Sequence, residues 1–293
     1  MINPHRFSIG PADAEIAMLQ WGESGRPPAL LVHGTGFVAD VWDEVARELA
    51  STYTVYALDR RGHGASHKPG AYHFLDYADD VCQVVDALDL RDIYGIGHSA
   101  GATDLLLAAK MLPECFTRLF VMEPTVMDPG AARATDLSEE SLARLQGTLR
   151  RRAEFDSADA ALARYREAPA FADWTETSLR AYVRHGFTPL DTGRVRLRCT
   201  PEIEAAILRP IYEVMEQVYV GDARGNPFAS LTKLDCPVRV TTAAKSDPIY
   251  KEMARRAISL IPGVTTLVFE NAGHCVAQEA PAAVVEAARE FGK

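Results

Sequence analysis

The sequence predicts an α/β protein in which a mostly parallel sheet is flanked by helices and carries an inserted helical cap. Short β-branched and aliphatic runs alternate with helical stretches, a pattern typical of a parallel sheet covered on both faces. Turns that contain glycine directly follow four of these runs. The alternation stops between about residues 125 and 233, where the sequence is almost wholly helical. The 293 residues accommodate one large domain or a core with an inserted subdomain.

Seven core strands and five core helices are expected from this alternation. The predicted strands are AEIAMLQWG, ALLVH, TVYALD, IYGIG, RLFVME, PVRVTTA and TTLVFE. The predicted helices begin at Val41, Asp76, Ser99, Pro248 and Pro281. In the last two, proline stands in the first turn, where its missing N–H costs no hydrogen bond.

The insert divides the chain into three parts. Its helical segments are SEESLARLQGTLRRRAEF, ADAALARYRE, TETSLRAYVRHGF and EIEAAILRPIYEVMEQVYV. We predict a first core part at residues 1–125, a helical cap at 126–233 and a second core part at 234–293. The LRRR cluster at 149–152 is interpreted as a solvated helix face.

Charge and composition exclude several classes of partner. The chain carries 31 Lys and Arg against 40 Asp and Glu, a net charge of -9, with no basic stripe to contact a nucleic-acid backbone. No apolar run approaches the roughly 20 residues of a membrane span. The start, MINPHRFSIG, lacks a basic region followed by an apolar run, so we expect a cytoplasmic protein without a membrane partner. The five cysteines have no metal-ligand spacing, and we expect neither metal nor cofactor.

The strongest chemical signal is GHSAG at residues 97–101, between the strand IYGIG and a helix. A tight strand-to-helix turn needs small residues around its central serine, which it presents at the helix N-terminus. A G-x-S-x-G match alone is a weak signal, and Ser99 has an alternative reading as a helix N-cap. The strand before it and the helix after it favour a nucleophile.

Three further motifs follow predicted strands. HGTG at 33–36 follows ALLVH directly, as expected of a loop whose backbone N–H groups meet a developing oxyanion, although a plain glycine turn would look the same. DRRGHGAS at 59–66 begins with the last residue of TVYALD and continues beyond that strand. NAGH at 271–274 follows TTLVFE and places His274 at the carboxyl end of a strand, where α/β sheets bind their ligands.

With these motifs in this order, the sequence resembles the α/β-hydrolase superfamily, in its group of cap-bearing serine hydrolases. That family orders its catalytic residues as serine, acid and histidine. The resemblance implies that Ser99 is the nucleophile, that His274 is the base, and that the backbone N–H groups of Thr35 and Ala100 stabilise the oxyanion.

Two residues compete for the role of the acid. Asp247 in AAKSDP follows PVRVTTA and matches the commoner family arrangement, so it is favoured; its alternative reading is a helix N-cap before proline. Glu123 in VMEP ends the preceding core strand, where some family members carry their acid. If Glu123 is not the acid, its carboxylate is expected to line the wall of the site or to order a loop.

The remaining site predictions concern the substrate pocket. Candidate substrate-binding residues near the motif loops are Gly34, Gly36, Phe37, His98 and Glu123. For His98 a packing or loop-ordering role is the stronger reading. Apolar residues of the insert, such as Val214, Met215 and Val218, are expected to set the preference for acyl-chain length.

The predicted function is hydrolysis of a small carboxylic ester or lactone through an acyl-enzyme, with a small molecule as the partner. A serine in this turn disfavours the related dehalogenases and epoxide hydrolases, which use aspartate there. Carbon–carbon bond hydrolysis, amide hydrolysis and cofactor-free perhydrolysis remain open, because they reuse the same triad. A ligand-binding or biosynthetic protein without hydrolytic activity also remains open, since fold does not fix function. The sequence identifies neither the substrate nor the oligomeric state.

Overall fold

The computed structural model describes residues 3–127, 136–216 and 226–293. Their strands are β1 (His5–Ile9), β2 (Ile16–Trp21), β3 (Pro28–Val32), β4 (Thr54–Leu58), β5 (Ile93–His98), β6 (Phe116–Met122), β7 (Glu154–Phe155), β8 (Phe187–Pro189), β9 (Val195–Leu197), β10 (Val238–Ala243) and β11 (Thr265–Phe269). Eight of them form one sheet in the order β1-β2-β4-β3-β5-β6-β10-β11. Only the β1–β2 and β2–β4 pairs in this sheet are antiparallel, which confirms the predicted mostly parallel sheet.

All seven predicted strands are present, and β1 is an addition at the antiparallel edge. Its sequence, HRFSI, is largely exposed and mixes polar with apolar residues. A polar edge strand of this kind gives a weak pattern in the sequence.

Helices cover both faces of the sheet. The helices of the described residues are α1 (Asp43–Leu49), α2 (Phe74–Ala87), α3 (Ala100–Met111), α4 (Glu139–Leu149), α5 (Ala158–Arg166), α6 (Glu176–His185), α7 (Pro201–Met215), α8 (Pro248–Leu260), α9 (Val276–Glu279) and α10 (Pro281–Phe291). None of these described helices is long and apolar enough to cross a membrane.

Side chains of successive strand residues alternate between two apolar layers. In β3, Leu31 packs in the layer that contains residues of α1 and α10. Leu30 and Val32 pack in the opposite layer, with residues of α2, α3 and α8. Because a strand with both faces buried has no polar face, β3 reads as a continuous apolar run.

The insert contains α4 to α7 and, in addition, a three-stranded antiparallel sheet in the order β7-β9-β8. The expectation of an almost wholly helical insert is therefore incomplete, because strands of two or three residues leave no readable period. Each of the helices α4 to α7 begins at a Ser or Thr whose hydroxyl accepts a hydrogen bond from a backbone N–H three residues on. These capping residues are Ser138, Ser157, Thr175 and Thr200.

An aromatic cluster joins the insert to the core. Phe37, directly after the HGTG motif, packs edge-on against Trp174 and Tyr182 of the insert, with ring centroids 5.1 and 5.9 Å apart. The insert is thereby held over the carboxyl end of β3. Residues 128–135 and 217–225, which include Val218, lie outside the described residues.

Candidate active site

The GHSAG turn holds Ser99 in a conformation that only its small neighbours permit. Ser99 has φ 54° and ψ -123°, in the region that disfavours side chains. A Cβ on Gly97 would lie 2.5 Å from the Ala102 Cα, and one on Gly101 would overlap the carbonyl oxygen of His33. The two glycines thus let the serine turn approach α3 and the end of β3 closely.

Ser99, Glu123 and His274 follow the carboxyl ends of β5, β6 and β11, and their side chains form one continuous line of hydrogen bonds. His274 Nε2 lies 3.1 Å from Ser99 Oγ. His274 Nδ1 lies 2.6 Å from Glu123 Oε2. A serine hydroxyl, an imidazole and a carboxylate in this order can move a proton from the hydroxyl to the ring while the carboxylate fixes the ring tautomer.

The Glu123 carboxylate is buried but well supplied with donors. The residue directly follows β6, is 1% exposed and has φ 45°. Its Oε1 accepts the Ala243 N–H at 2.9 Å, and its Oε2 accepts the Ser246 hydroxyl at 2.6 Å. These hydrogen bonds offset the cost of burying a carboxylate. Glu123 is buried and is not among the described residues that line the cavity containing Ser99, so the expectation that it lines the substrate pocket is wrong.

The preference for Asp247 as the acid is corrected by the same geometry. Asp247 is exposed, and its Oδ1 accepts the Ile249 N–H at 3.0 Å as the N-cap of α8. The neighbouring Ser246 is the residue of this loop that turns inward, onto Glu123. No feature of the sequence distinguished Ser246 from a surface loop residue.

Thr35 and Ala100 are the predicted oxyanion donors. Thr35 lines the same cavity as Ser99, and Ala100 is the first residue of α3, where a backbone N–H has no intrahelical partner. Within the described part of the chain, neither N–H donates to a protein acceptor. Gly34 allows the close approach, because a Cβ there would lie 3.1 Å from the Ser99 Cβ.

A cavity of about 720 Å³ opens above Ser99 between the motif loops and the insert. Gly34, Gly36, Phe37 and His98 of the predicted pocket all line it. Leu208 and Ile211 of α7 also line it, whereas Val214 is buried in the core layer and Met215 packs against that layer. Val214 and Met215, for which the sequence predicts a role in acyl-chain preference, are therefore not among the described residues that line this cavity.

Arginines are the least expected part of the cavity wall. Arg150, Arg151 and Arg152, whose sequence pattern is that of a solvated helix face, line the cavity together with Arg144 and Arg164. This position depends on the packing of α4 against α7 and of α5 against α6. The sequence does not show it, because these segments are far along the chain from the motif loops.

Comparison with known proteins decides the family. The profile of the alpha/beta hydrolase family matches residues 29–287. The chain belongs to the α/β hydrolase family. A 2-(acetamidomethylene)succinate hydrolase from Mesorhizobium japonicum is 26% identical over 274 residues, 92% of this chain and 89% of that protein. A crystal structure of an E-2-(acetamidomethylene)succinate hydrolase superposes with a TM-score of 0.78 at 21% identity, over 99% of each chain.

A non-heme chloroperoxidase from Streptomyces lividans has a higher sequence identity to this chain than the succinate hydrolase from Mesorhizobium japonicum, but over a shorter segment. It is 42% identical over 87 residues, which is 29% of this chain and 32% of the chloroperoxidase. The match thus spans about a third of that relative.

Two buried histidines tie the loops of this α/β hydrolase together. His33 Nε2 accepts the Arg60 N–H at 3.1 Å, and burial beside the Arg60 guanidinium lowers the pKa of His33 to about 3. His63 Nε2 accepts the Gly36 N–H at 2.9 Å, and burial lowers the pKa of His63 well below its usual value. Both rings act as neutral acceptors that fix the HGTG loop against the DRRGHGAS loop.

His98 supports His274 from below. Its Nε2 donates to the carbonyl oxygen of His274 at 2.7 Å, and burial, with the neighbouring His274 ring, lowers the pKa of His98 well below its usual value. On the other side, the Tyr250 ring stacks on His274 with centroids 3.5 Å apart and planes 11° from parallel. The imidazole of His274 is thus held by contacts to its ring and to its backbone.

Proposed function

We propose that this hydrolase cleaves a small carboxylic ester or lactone through an acyl-enzyme on Ser99, with His274 as base and Glu123 as acid. The observation that carries the proposal is the continuous line of hydrogen bonds from Glu123 through His274 to Ser99, at the floor of a cavity of about 720 Å³. We also retain the division into core parts at 1–125 and 234–293 and a cap at 126–233, because the cavity lies between these parts.

The reaction begins when His274 Nε2 takes the proton of Ser99 Oγ as the oxygen attacks the carbonyl carbon. The oxyanion accepts hydrogen bonds from the backbone N–H groups of Thr35 and Ala100, each worth about 3 kcal/mol in the transition state. The carbon–oxygen bond to the alcohol then breaks, and His274 returns its proton to the leaving oxygen. The Glu123 carboxylate accepts the hydrogen bond from His274 Nδ1 and stabilises the imidazolium.

Water completes the cycle by the same chemistry in reverse. His274 takes a proton from water as the water oxygen attacks the acyl carbon, and the proton then passes to Ser99 Oγ as the acyl bond breaks. A carboxylic acid leaves, and the enzyme is restored with no metal or cofactor involved in any step.

Amide hydrolysis is the second candidate. It is favoured by the similarity to the 2-(acetamidomethylene)succinate hydrolase, which extends over 92% of this chain. The same residues serve both reactions, and the difference lies in whether His274 protonates an alcohol or an amine.

A substrate screen with a covalent probe tests the proposal. We expect turnover of 4-nitrophenyl esters or lactones, labelling by a fluorophosphonate, and loss of both in Ser99→Ala, with turnover reduced by about a millionfold. Turnover of aryl amides but not of esters would select the second candidate. Esterase turnover that persists in purified Ser99→Ala would exclude Ser99 as the nucleophile. Absence of both turnover and labelling in the folded wild type would indicate a ligand-binding protein.

A further inference from the structure

The cavity above Ser99 is strongly basic in a chain that is acidic overall. Among the described residues, five arginines and a single carboxylate, Glu204, line it, whereas the whole chain has a net charge of -9. Concentrating positive charge against the overall balance raises the local concentration of an anionic ligand. The wall therefore has a charge preference that ester hydrolysis alone does not require.

Three of the five arginines have acidic partners within the protein. Arg151 pairs with Glu204 inside the cavity. Arg144 pairs with Glu140 at 2.8 Å, one turn earlier on α4. The Arg152 guanidinium lies over the Phe155 ring and is 4.0 Å from Asp156.

Arg150 and Arg164 differ from these three. Across residues 3–127, 136–216 and 226–293, neither side chain has an ion pair or a side-chain hydrogen bond. Both residues are exposed while lining the cavity, which places them where it opens to solvent rather than beside Ser99. Two guanidinium groups that have no acidic partner among the described residues thus line the cavity that contains Ser99.

We infer that the substrate carries a carboxylate remote from the scissile bond, and that Arg150 and Arg164 bind this carboxylate at the cavity mouth. The inference deepens the proposed function and rests on it for the position of the scissile bond at Ser99. A guanidinium presents two parallel N–H donors that match the two coplanar oxygens of a carboxylate. The substrate class is then a half-ester or half-amide of a dicarboxylic acid.

Three matched esters test the charge preference. Mono(4-nitrophenyl) adipate, methyl 4-nitrophenyl adipate and 4-nitrophenyl hexanoate share a six-carbon acyl chain and differ at its far end. After subtraction of spontaneous hydrolysis, we expect kcat/KM for the half-ester to exceed that of both neutral esters by roughly fivefold, the equivalent of one exposed ion pair. The preference should shrink as ionic strength rises, because exposed charges are screened. Equal kcat/KM values for the three esters in an active enzyme would overturn the inference.

Variants assign the preference to the two arginines. In the double variant Arg150→Gln and Arg164→Gln, we expect the ratio of half-ester to neutral-ester kcat/KM to fall to about one. Arg91→Gln is the matched control, since Arg91 is exposed before β5, at the opposite end of the sheet from Ser99. A ratio that survives in the double variant, or that falls equally in the control, would contradict the role of Arg150 and Arg164.

A binding measurement separates this inference from the proposed function. Calorimetry of Ser99→Ala with adipate needs no turnover, and we expect the affinity for adipate to fall about fivefold when Arg150→Gln and Arg164→Gln are added. Adipate binding in a protein that hydrolyses no ester would refute the proposed function and leave the anion site standing. No adipate binding would refute the anion site whatever the esterase result. Inorganic phosphate is measured in parallel, and tighter binding of phosphate than of adipate would overturn the assignment to a carboxylate.

Discussion

His274 Nδ1 lies 2.6 Å from Glu123 Oε2, so the acid beside this imidazole comes from the end of β6 and not from the loop after β10. The loop after β10 still contributes, because Ser246 and the Ala243 N–H hold the Glu123 carboxylate in place. The end of β6 thus supplies the charge, and the end of β10 supplies the donors that make its burial tolerable.

Exchanging the two acids for their amides tests this arrangement. In Glu123→Gln, the amide oxygen keeps the Ala243 N–H, which turns the NH₂ group toward His274 Nδ1. The ring must then accept at Nδ1 and carry its proton on Nε2, where it cannot act as a base toward Ser99. We expect a loss in kcat on the order of 10⁴.

Asp247→Asn is the matched control for that variant. Asparagine caps a helix as well as aspartate does, so we expect esterase activity and thermal stability close to those of the wild type. Steady-state kinetics of both purified variants measure the comparison. A crippled Asp247→Asn beside an active Glu123→Gln would restore the acid assignment that the sequence favoured.

The sequence predicts the sheet, the serine turn and the histidine because each depends on local chemistry. GHSAG has the glycines that its turn requires, and NAGH directly follows a strand. The acid could not be chosen in this way, since Glu123 and Asp247 both end a strand. The two residues differ in properties of the folded backbone. Glu123 has a positive φ, and Asp247 is the N-cap of α8.

The arginines of the cavity were missed for a different reason. Arg150 belongs to the LRRR cluster, whose pattern is that of a solvated helix face, and Arg164 belongs to a helical segment without a motif. Only long-range packing places both in the wall of the cavity above Ser99. Helical periodicity reports which face of a helix is apolar, but it does not report what the polar face meets.

Backbone strain at Ser99 predicts a difference between two inactive variants. Ser99→Ala and Ser99→Gly both remove the hydroxyl, but only glycine adopts φ 54° and ψ -123° without a steric cost. The strain relieved is about 1–3 kcal/mol, and the added entropy of the unfolded glycine chain opposes it by about 0.5–1 kcal/mol. We expect Ser99→Gly to be more stable than Ser99→Ala by about 1 kcal/mol in urea unfolding. An alanine variant of equal or greater stability would show that the turn is not strained.

Substitutions along α7 distinguish the cavity wall from the core. Leu208 lines the cavity, so Leu208→Ala should enlarge it and shift the ranking of 4-nitrophenyl esters toward longer acyl chains. Val214 is 3% exposed and packs in a core layer, so Val214→Ala should cost about 2 kcal/mol of stability without changing that ranking. Ester series and urea unfolding on both variants provide the measurements. A changed ranking in Val214→Ala alone would place the cavity wall on the other side of the helix.

The neutral His98 ring makes stability depend on pH in a defined direction. Burial lowers the pKa of His98 well below 6.5, so the folded protein leaves this ring neutral while the unfolded chain protonates it as pH falls below about 6.5. The unfolded state then binds one more proton, and the contribution of His98 to stability is fully present above that pH and is lost as pH falls. Below about pH 5.5 the ring is fully charged in the unfolded chain. There, His98 alone lowers the free energy of unfolding by about 1.4 kcal/mol for each pH unit of acidification.

His98→Gln isolates this contribution, because the Gln amide can still donate to the His274 carbonyl while carrying no titratable group. Between about pH 5.5 and 4.5, we expect the free energy of unfolding of the wild type to fall with decreasing pH more steeply than that of the variant, by about 1.4 kcal/mol per unit. Subtracting the two profiles cancels the other titrating groups that both proteins share. Urea unfolding at closely spaced pH values measures the slopes, and parallel profiles would mean that the folded protein protonates His98 as readily as the unfolded chain does.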